Sequence, residues 1–263
     1  MIYIANSTWF PTEKNPFEIN GDYGENWSAF IYDLEIPYFT NVYSDAKLHT
    51  VRFSPKADEN NERLFDFLNY ELSYQRNVIF KVSKGMNAES IIRKFRAASN
   101  DIKYRKSDME YMVHSTTKSA WRMINEAGAL LSPNALKERG IKINEIGLEP
   151  MHEPKDYSDY IMLDVPNGCG ELVVNSRNLG YVCIDPNINY QPGVRLYFDM
   201  KKMIADRIIR RDGLHLAKVK DRLPLEKYLI AAITPDDFDV TIQWTPTLFT
   251  EKANQLFKDN YLN

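Results

Sequence analysis

The 263-residue chain is 44% hydrophobic and 26% charged, with a formal net charge of −3, the composition of an ordinary folded protein. That acidic balance argues against a broad basic nucleic-acid surface, though not against a local patch. No run of about 18 apolar residues occurs, so no membrane span is expected. MIYIANSTWF lacks the charged and apolar regions of a secretory leader. Cys169 and Cys183 are the only cysteines, too few for a disulfide framework or a zinc pattern. A cytoplasmic protein with free thiols is the expectation.

Residues 1 to 58 read as irregular β structure rich in aromatic side chains, with strand candidates near Ile2–Ile4, Phe30–Leu34 and Thr50–Phe53 and turns at Asn15-Pro16 and Asn20-Gly21. A helix is predicted over 61–74, where Leu64, Phe65, Leu68 and Leu72 share a face. NVIFKV at Asn77–Val82 reads as a strand, and Asn87 as the cap of a helix carrying Ile91, Ile92 and Phe95. Arg93, Lys94 and Arg96 on that helix, with Lys103, Arg105 and Lys106 beyond it, form a basic run. Such a run is a solvated face or, in an acidic protein, a seat for an anionic partner.

Asp108 to Leu131 organises the remainder of the chain. A short strand, Tyr111–His114, leads through Ser115–Thr117 into an amphipathic helix. Thr116 or Thr117 caps that helix and Gly128 ends it. A histidine therefore sits at a strand end beside a helix N-terminus, where free N–H groups meet anionic or oxygen-rich ligands. The plain alternative is a structural histidine. Further on, strands are predicted at Tyr160–Asp164, Glu171–Asn175, Tyr181–Ile184, Val194–Phe198, Leu214–Val219 and Glu226–Ile233, with helices over Met200–Ile209 and Thr250–Leu262. His49 reads as structural and His152 as a surface residue; HEPKD is no zinc-binding helix, since Pro154 would break it. His215 alternates with Leu214 and Leu216, so it faces away from them.

The order strand–His114–Ser115–Thr116–Thr117–helix–Gly128, then GLEPM at Gly147–Met151, VRLYFDMKKM at Val194–Met203 and DGLHLAKVKDRLPLEKYLIAAI at Asp212–Ile233, resembles the catalytic lobe of the RNA 2′-phosphotransferase family. That family belongs to the ADP-ribosyltransferase superfamily and uses NAD. The resemblance covers roughly residues 110 to 233. It implies an α+β protein in which a split, mostly antiparallel sheet with short helices (107–263) follows an N-terminal α+β lobe (1–106).

The implied chemistry is transfer at the nicotinamide ribose of NAD, with RNA or DNA as the acceptor, in the manner of DNA-modifying toxins or defence proteins. The resemblance gives His114 a ribose hydroxyl, with Ser115 and Thr116 beside it. Tyr160 stacks on nicotinamide, His215 positions acceptor or ribose, and Arg177 and Arg195 take the pyrophosphate. Ser115 replaces the family's glycine, HEPKDYSDYIMLD replaces its basic strand, and His215 lies where ADP-ribosylating relatives place a glutamate. These departures set a second expectation beside the first, a non-enzymatic nucleotide- or partner-binding module on the same fold, of the kind a phage or defence system uses.

Overall fold

The computed structural model describes residues 1–11, 14–41, 48–99, 101–142, 154–238 and 243–262. Helices and several small sheets divide between two compact units. The first comprises residues up to Asp101 together with 154–157 and Arg211–Leu214; the second holds the rest of the described chain.

In the first unit, β1 (Ile2–Ile4), β2 (Trp27–Tyr32), β3 (Phe39–Asn41), β4 (His49–Phe53) and β5 (Asn77–Val82) form one sheet in the order β1-β5-β2-β4-β3. The β1–β5, β5–β2 and β2–β4 pairs are parallel, and only β3 runs antiparallel. The expected irregular β lobe is thus a mostly parallel sheet. All six residues of β2, WSAFIY, are buried, as a parallel strand covered on both faces requires. Phe30 and Tyr32 pack with Phe67, Leu68, Ile92 and Phe95 of helices α1 (Glu62–Ser73) and α2 (Ala88–Ala97). Ala29 and Ile31 face Trp9, Tyr23 and Trp27 instead. Asn87 caps α2 by accepting from the Ser90 N–H at 2.9 Å.

The chain returns to this unit twice, which the expected continuous lobe 107–263 did not include. Arg76 pairs with Glu71 at 3.1 Å and with Asp156, which also accepts from Tyr70. Arg63 donates to the carbonyls of Gly213 and Leu214. Gly213 has φ +80°, and a Cβ there would lie 2.5 Å from the Arg63 carbonyl oxygen, so glycine alone fits.

In the second unit, β6 (Tyr111–Thr116) is followed by α3 (Lys118–Ala127), β7 (Ala129–Leu131) and α4 (Pro133–Glu138). Thr117 caps α3 by accepting from the Ala120 N–H at 3.1 Å, and Gly128 closes it at φ +63°. Next come β8 (Tyr160–Leu163), α5 (Gly170–Leu179), β9 (Val194–Asp199), α6 (Met200–Ala205), β10 (Ile209–Arg210) and β11 (Ala217–Lys220). The chain ends through β12 (Arg222–Pro224), α7 (Leu225–Tyr228), β13 (Leu229–Ile233) and α8 (Pro246–Tyr261). Two three-stranded antiparallel sheets result, β13-β9-β6 and β10-β11-β8, with a β12–β7 pair beside them. Met112, Leu196 and Phe198 of the first share a core with Ile161, Leu163, Ala217 and Val219 of the second. The opposite face of the first, with Tyr111, Val113 and Tyr197, is covered by Val174 of α5 and Phe249 and Phe257 of α8.

Four expected strands change. Glu171–Asn175 lies in helix α5; its buried residues Glu171, Val174 and Asn175 fall at helical spacing, and Gly180 ends it at φ +79°. Tyr181–Ile184 is not a strand. β11 begins only at Ala217, and Glu226–Ile233 divides into α7 and β13.

Residues 101–110, between α2 and β6, hold neither helix nor strand, and Lys103 and Lys106 are exposed. Limited trypsin digestion is expected to cut first at these lysines. First cleavage inside either unit's sheets, read by mass spectrometry, would contradict this.

Candidate functional site

The two sheets of the second unit meet at one point. Val113 of β6 and Asp164, just past β8, exchange backbone hydrogen bonds of 2.8 Å in both directions. Beyond this bridge β6 and β8 make no further strand pairing, and His114 is the next residue along β6. Its Nδ1 lies 3.3 Å from the Met162 carbonyl oxygen on β8. Burial holds the imidazole well below its ordinary range, at about 4; the Arg177 charge pushes the same way, and the Met162 contact opposes both. His114 is therefore neutral near pH 7. Nδ1 carries the proton that the Met162 carbonyl accepts, which leaves Nε2 a lone pair to offer.

Alternation along β6 fixes the rest of the fork. Val113 spends its backbone groups on Asp164 and not on β9, so the N–H and C=O of Ser115, two residues on, point to the same open side. A donor and an acceptor thus sit on the strand edge beside the His114 ring.

The Ser115 side chain points to the opposite face of β6, into a cluster closed to water. Its hydroxyl donates to Glu171 Oε1 at 2.5 Å. Arg195 lies 3.1 Å from that oxygen and 3.2 Å from the Ser115 hydroxyl, and also donates to Tyr197 at 3.2 Å and to the Pro166 carbonyl. Tyr190 donates to the second Glu171 oxygen. Asn254 of α8 accepts from Tyr197 at 3.0 Å and donates to the Pro166 carbonyl at 2.8 Å. Burial and the adjacent Glu171 carboxylate push the Tyr190 phenol far up. Glu171 is 2% and Arg195 0% exposed, so each is the other's compensation.

The expected site residues therefore separate. Arg195 does not reach a pyrophosphate, because its guanidinium is consumed internally. Thr116 is buried at the end of β6, opposite Val194, with Gly193 so close that a Cβ there would overlap the Thr116 carbonyl. Tyr160 opens β8 but is buried, with the Lys218 ammonium 4.7 Å from its ring centre; that face is not open for a nicotinamide to stack on. His215 lies outside any strand, half-buried before β11. Arg177 is exposed on α5 and acts electrostatically on His114. GLEPM at Gly147–Met151 and His152 lie outside the described residues.

Sequence reading missed Glu171, Tyr190 and Asn254. Only the acid at the first turn of a helix could have drawn attention to Glu171, and the segment reads as a strand. Among the described residues no group of three or more His, Cys, Asp or Glu side chains could hold a metal ion, and no helix is long and apolar enough to cross a membrane. No family model, curated protein or solved structure matches the chain.

The electrostatics lead to two expected outcomes. Arg195→Met leaves the Glu171 carboxylate buried without its cation and should lower stability by roughly 3–5 kcal/mol. A loss below about 1 kcal/mol on urea denaturation would show that the pair is not the anchor of this cluster. His114 has its folded pKa below its unfolded one, so the unfolded chain binds the extra proton between about 6.5 and about 4. Its contribution to stability is present above pH 6.5 and is lost as pH falls through that window, at up to about 1.4 kcal/mol per pH unit. His114→Gln should remove this part of the slope; an unchanged pH dependence would contradict a neutral buried imidazole.

Proposed function

We propose that the second unit is an NAD-dependent transferase of the ADP-ribosyltransferase type, acting at the nicotinamide ribose. The observation that carries this reading is the fork itself. β6 and β8 share a single backbone bridge, Val113–Asp164, and the neutral histidine beside it meets the Met162 carbonyl through Nδ1, which leaves Nε2 as an acceptor. The Nε2 lone pair suits a ribose hydroxyl. The Ser115 N–H and C=O match the acceptor and donor of a carboxamide. Arg177, exposed on α5, is the guanidinium available for a pyrophosphate. Departure of nicotinamide builds positive charge at the ribose carbon, so these groups hold and orient the substrate while the leaving bond breaks.

A specific observation favours the second reading, a binding module that does not catalyse. Two carboxylates packed beside the middle of β6 are occupied: Glu171 within its cluster, and Asp164 by the N–H groups of Val165 at 2.8 Å and Gly170 at 3.0 Å. Neither is placed to stabilise charge on a ribose.

NAD at about 100 times its dissociation constant is expected to stabilise the protein by roughly 2.7 kcal/mol, seen as a rise in Tm. His114→Ala should weaken binding about tenfold, one hydrogen bond's worth, without loss of fold. No thermal shift with millimolar NAD ends the NAD reading. Binding without nicotinamide release in the presence of RNA or DNA leaves the binding module.

The acceptor we propose is nucleic acid, for which the exposed cations Arg93, Lys94 and Arg96 of α2 offer phosphate contacts. Oligonucleotide affinity should fall with salt at a log–log slope of about −0.7 per phosphate contact. Binding that survives Glu at Arg93, Lys94 and Arg96 rules these cations out.

A further inference from the structure

The outer half of β6 is held from three directions, and one of them has no evident purpose in packing alone. Toward β9 it is paired residue by residue, His114 with Leu196 and Ser115 with Arg195. Toward β8 it has no strand pairing past Val113, only the His114 side chain. On the face away from His114, the Ser115 hydroxyl is gripped by Glu171, the second residue of α5. The preceding residue is pressed on the same spot: a Cβ on Gly170 would lie 2.9 Å from the Ser115 hydroxyl oxygen. Helix α5 is thereby docked on β6 at the residue next to the histidine.

The contact this docking protects is a marginal one. At 3.3 Å the His114 Nδ1 to Met162 distance lies beyond the usual range for an N–H···O hydrogen bond. A further shift of a few tenths of an ångström in β6 forfeits it, and with it the reason for the proton to sit on Nδ1. We propose that Glu171 is a positioning residue for His114, acting through the Ser115 hydroxyl to hold β6 where the imidazole meets the Met162 carbonyl. Its functional meaning rests on the fork as the ligand site. The measurement that tests it needs no ligand, so it stands or falls separately from NAD binding.

The test is the tautomer of His114 in the full chain, read from the two ring-nitrogen shifts by long-range ¹H–¹⁵N NMR above pH 7. The parent is expected to show one tautomer, protonated at Nδ1. Ser115→Ala cuts the link while leaving the Glu171–Arg195 pair in place. Both ring nitrogens should then move toward each other, the mark of two exchanging tautomers. Tyr190→Phe removes a different partner of Glu171 and should keep the parent shifts. Should Ser115→Ala fail to fold, Glu171→Gln carries the test, since it keeps the side-chain volume and weakens the bond to Ser115. A folded Ser115→Ala or Glu171→Gln variant with both parent shifts overturns the proposal. So does a Tyr190→Phe variant that moves them as far as Ser115→Ala, because the effect would then be general loosening.

Discussion

Glu171 and Arg195 form an ion pair with almost no access to water, and the second unit is arranged around making that tolerable. Taking two such charges out of water costs several kcal/mol each, and their attraction offsets this only when the remaining donors and acceptors are also satisfied. Here the donors reach Ser115, Tyr197 and the Pro166 carbonyl, and the carboxylate accepts from Ser115 and Tyr190. The partners come from β6, β9, α5 and the segments around Pro166 and Tyr190. A hydrophobic core tolerates small slips; a closed polar cluster does not, since each slip strands a buried group. The cluster therefore gives β6 a single defined position.

The fork in turn depends on a shortage of pairing. Had β6 and β8 continued their ladder past Val113, the unit would hold one continuous sheet and no opening. One bridge joins the sheets at their base, and the shared core of Met112, Leu196, Ile161 and Val219 keeps them together below it. The backbone groups of Ser115 are left pointing away from β9.

Much of the local structure was legible in the sequence. The α1 helix, β5, the Asn87 cap, a cap at Thr116 or Thr117, and Gly128 follow from periodicity and end signals, and β9 from a run of apolar and aromatic residues. Helix α5 was not legible, because its buried face carries Glu171 and Asn175 while Val173 and Val174 suggest a strand. Sequence places His114 at a strand end, whereas β6 continues through Ser115 to Thr116. Ser115 reads as turn, so its place on the other face of β6 was missed, and that Arg195 joins it there was hidden because the partner strand and its register were unknown. Arginine type alone suggests phosphate, and only burial shows that Arg195 is already occupied. The parallel order of the first sheet was hidden too, since its neighbours in space are distant in the chain.

The two returns of the chain to the first unit have a consequence for synthesis. Arg63 finds the Gly213 carbonyl 150 residues later, and the Asp156 partner of Arg76 follows it by 80. At about 5–20 residues per second on the ribosome, Arg63 waits roughly 8–30 s for the Gly213 carbonyl. Over that interval Arg63 lacks the Gly213 and Leu214 carbonyls, and for the first part of it Arg76 has Glu71 but not Asp156. The amino-terminal unit starts first and finishes only after most of the carboxy-terminal one has emerged.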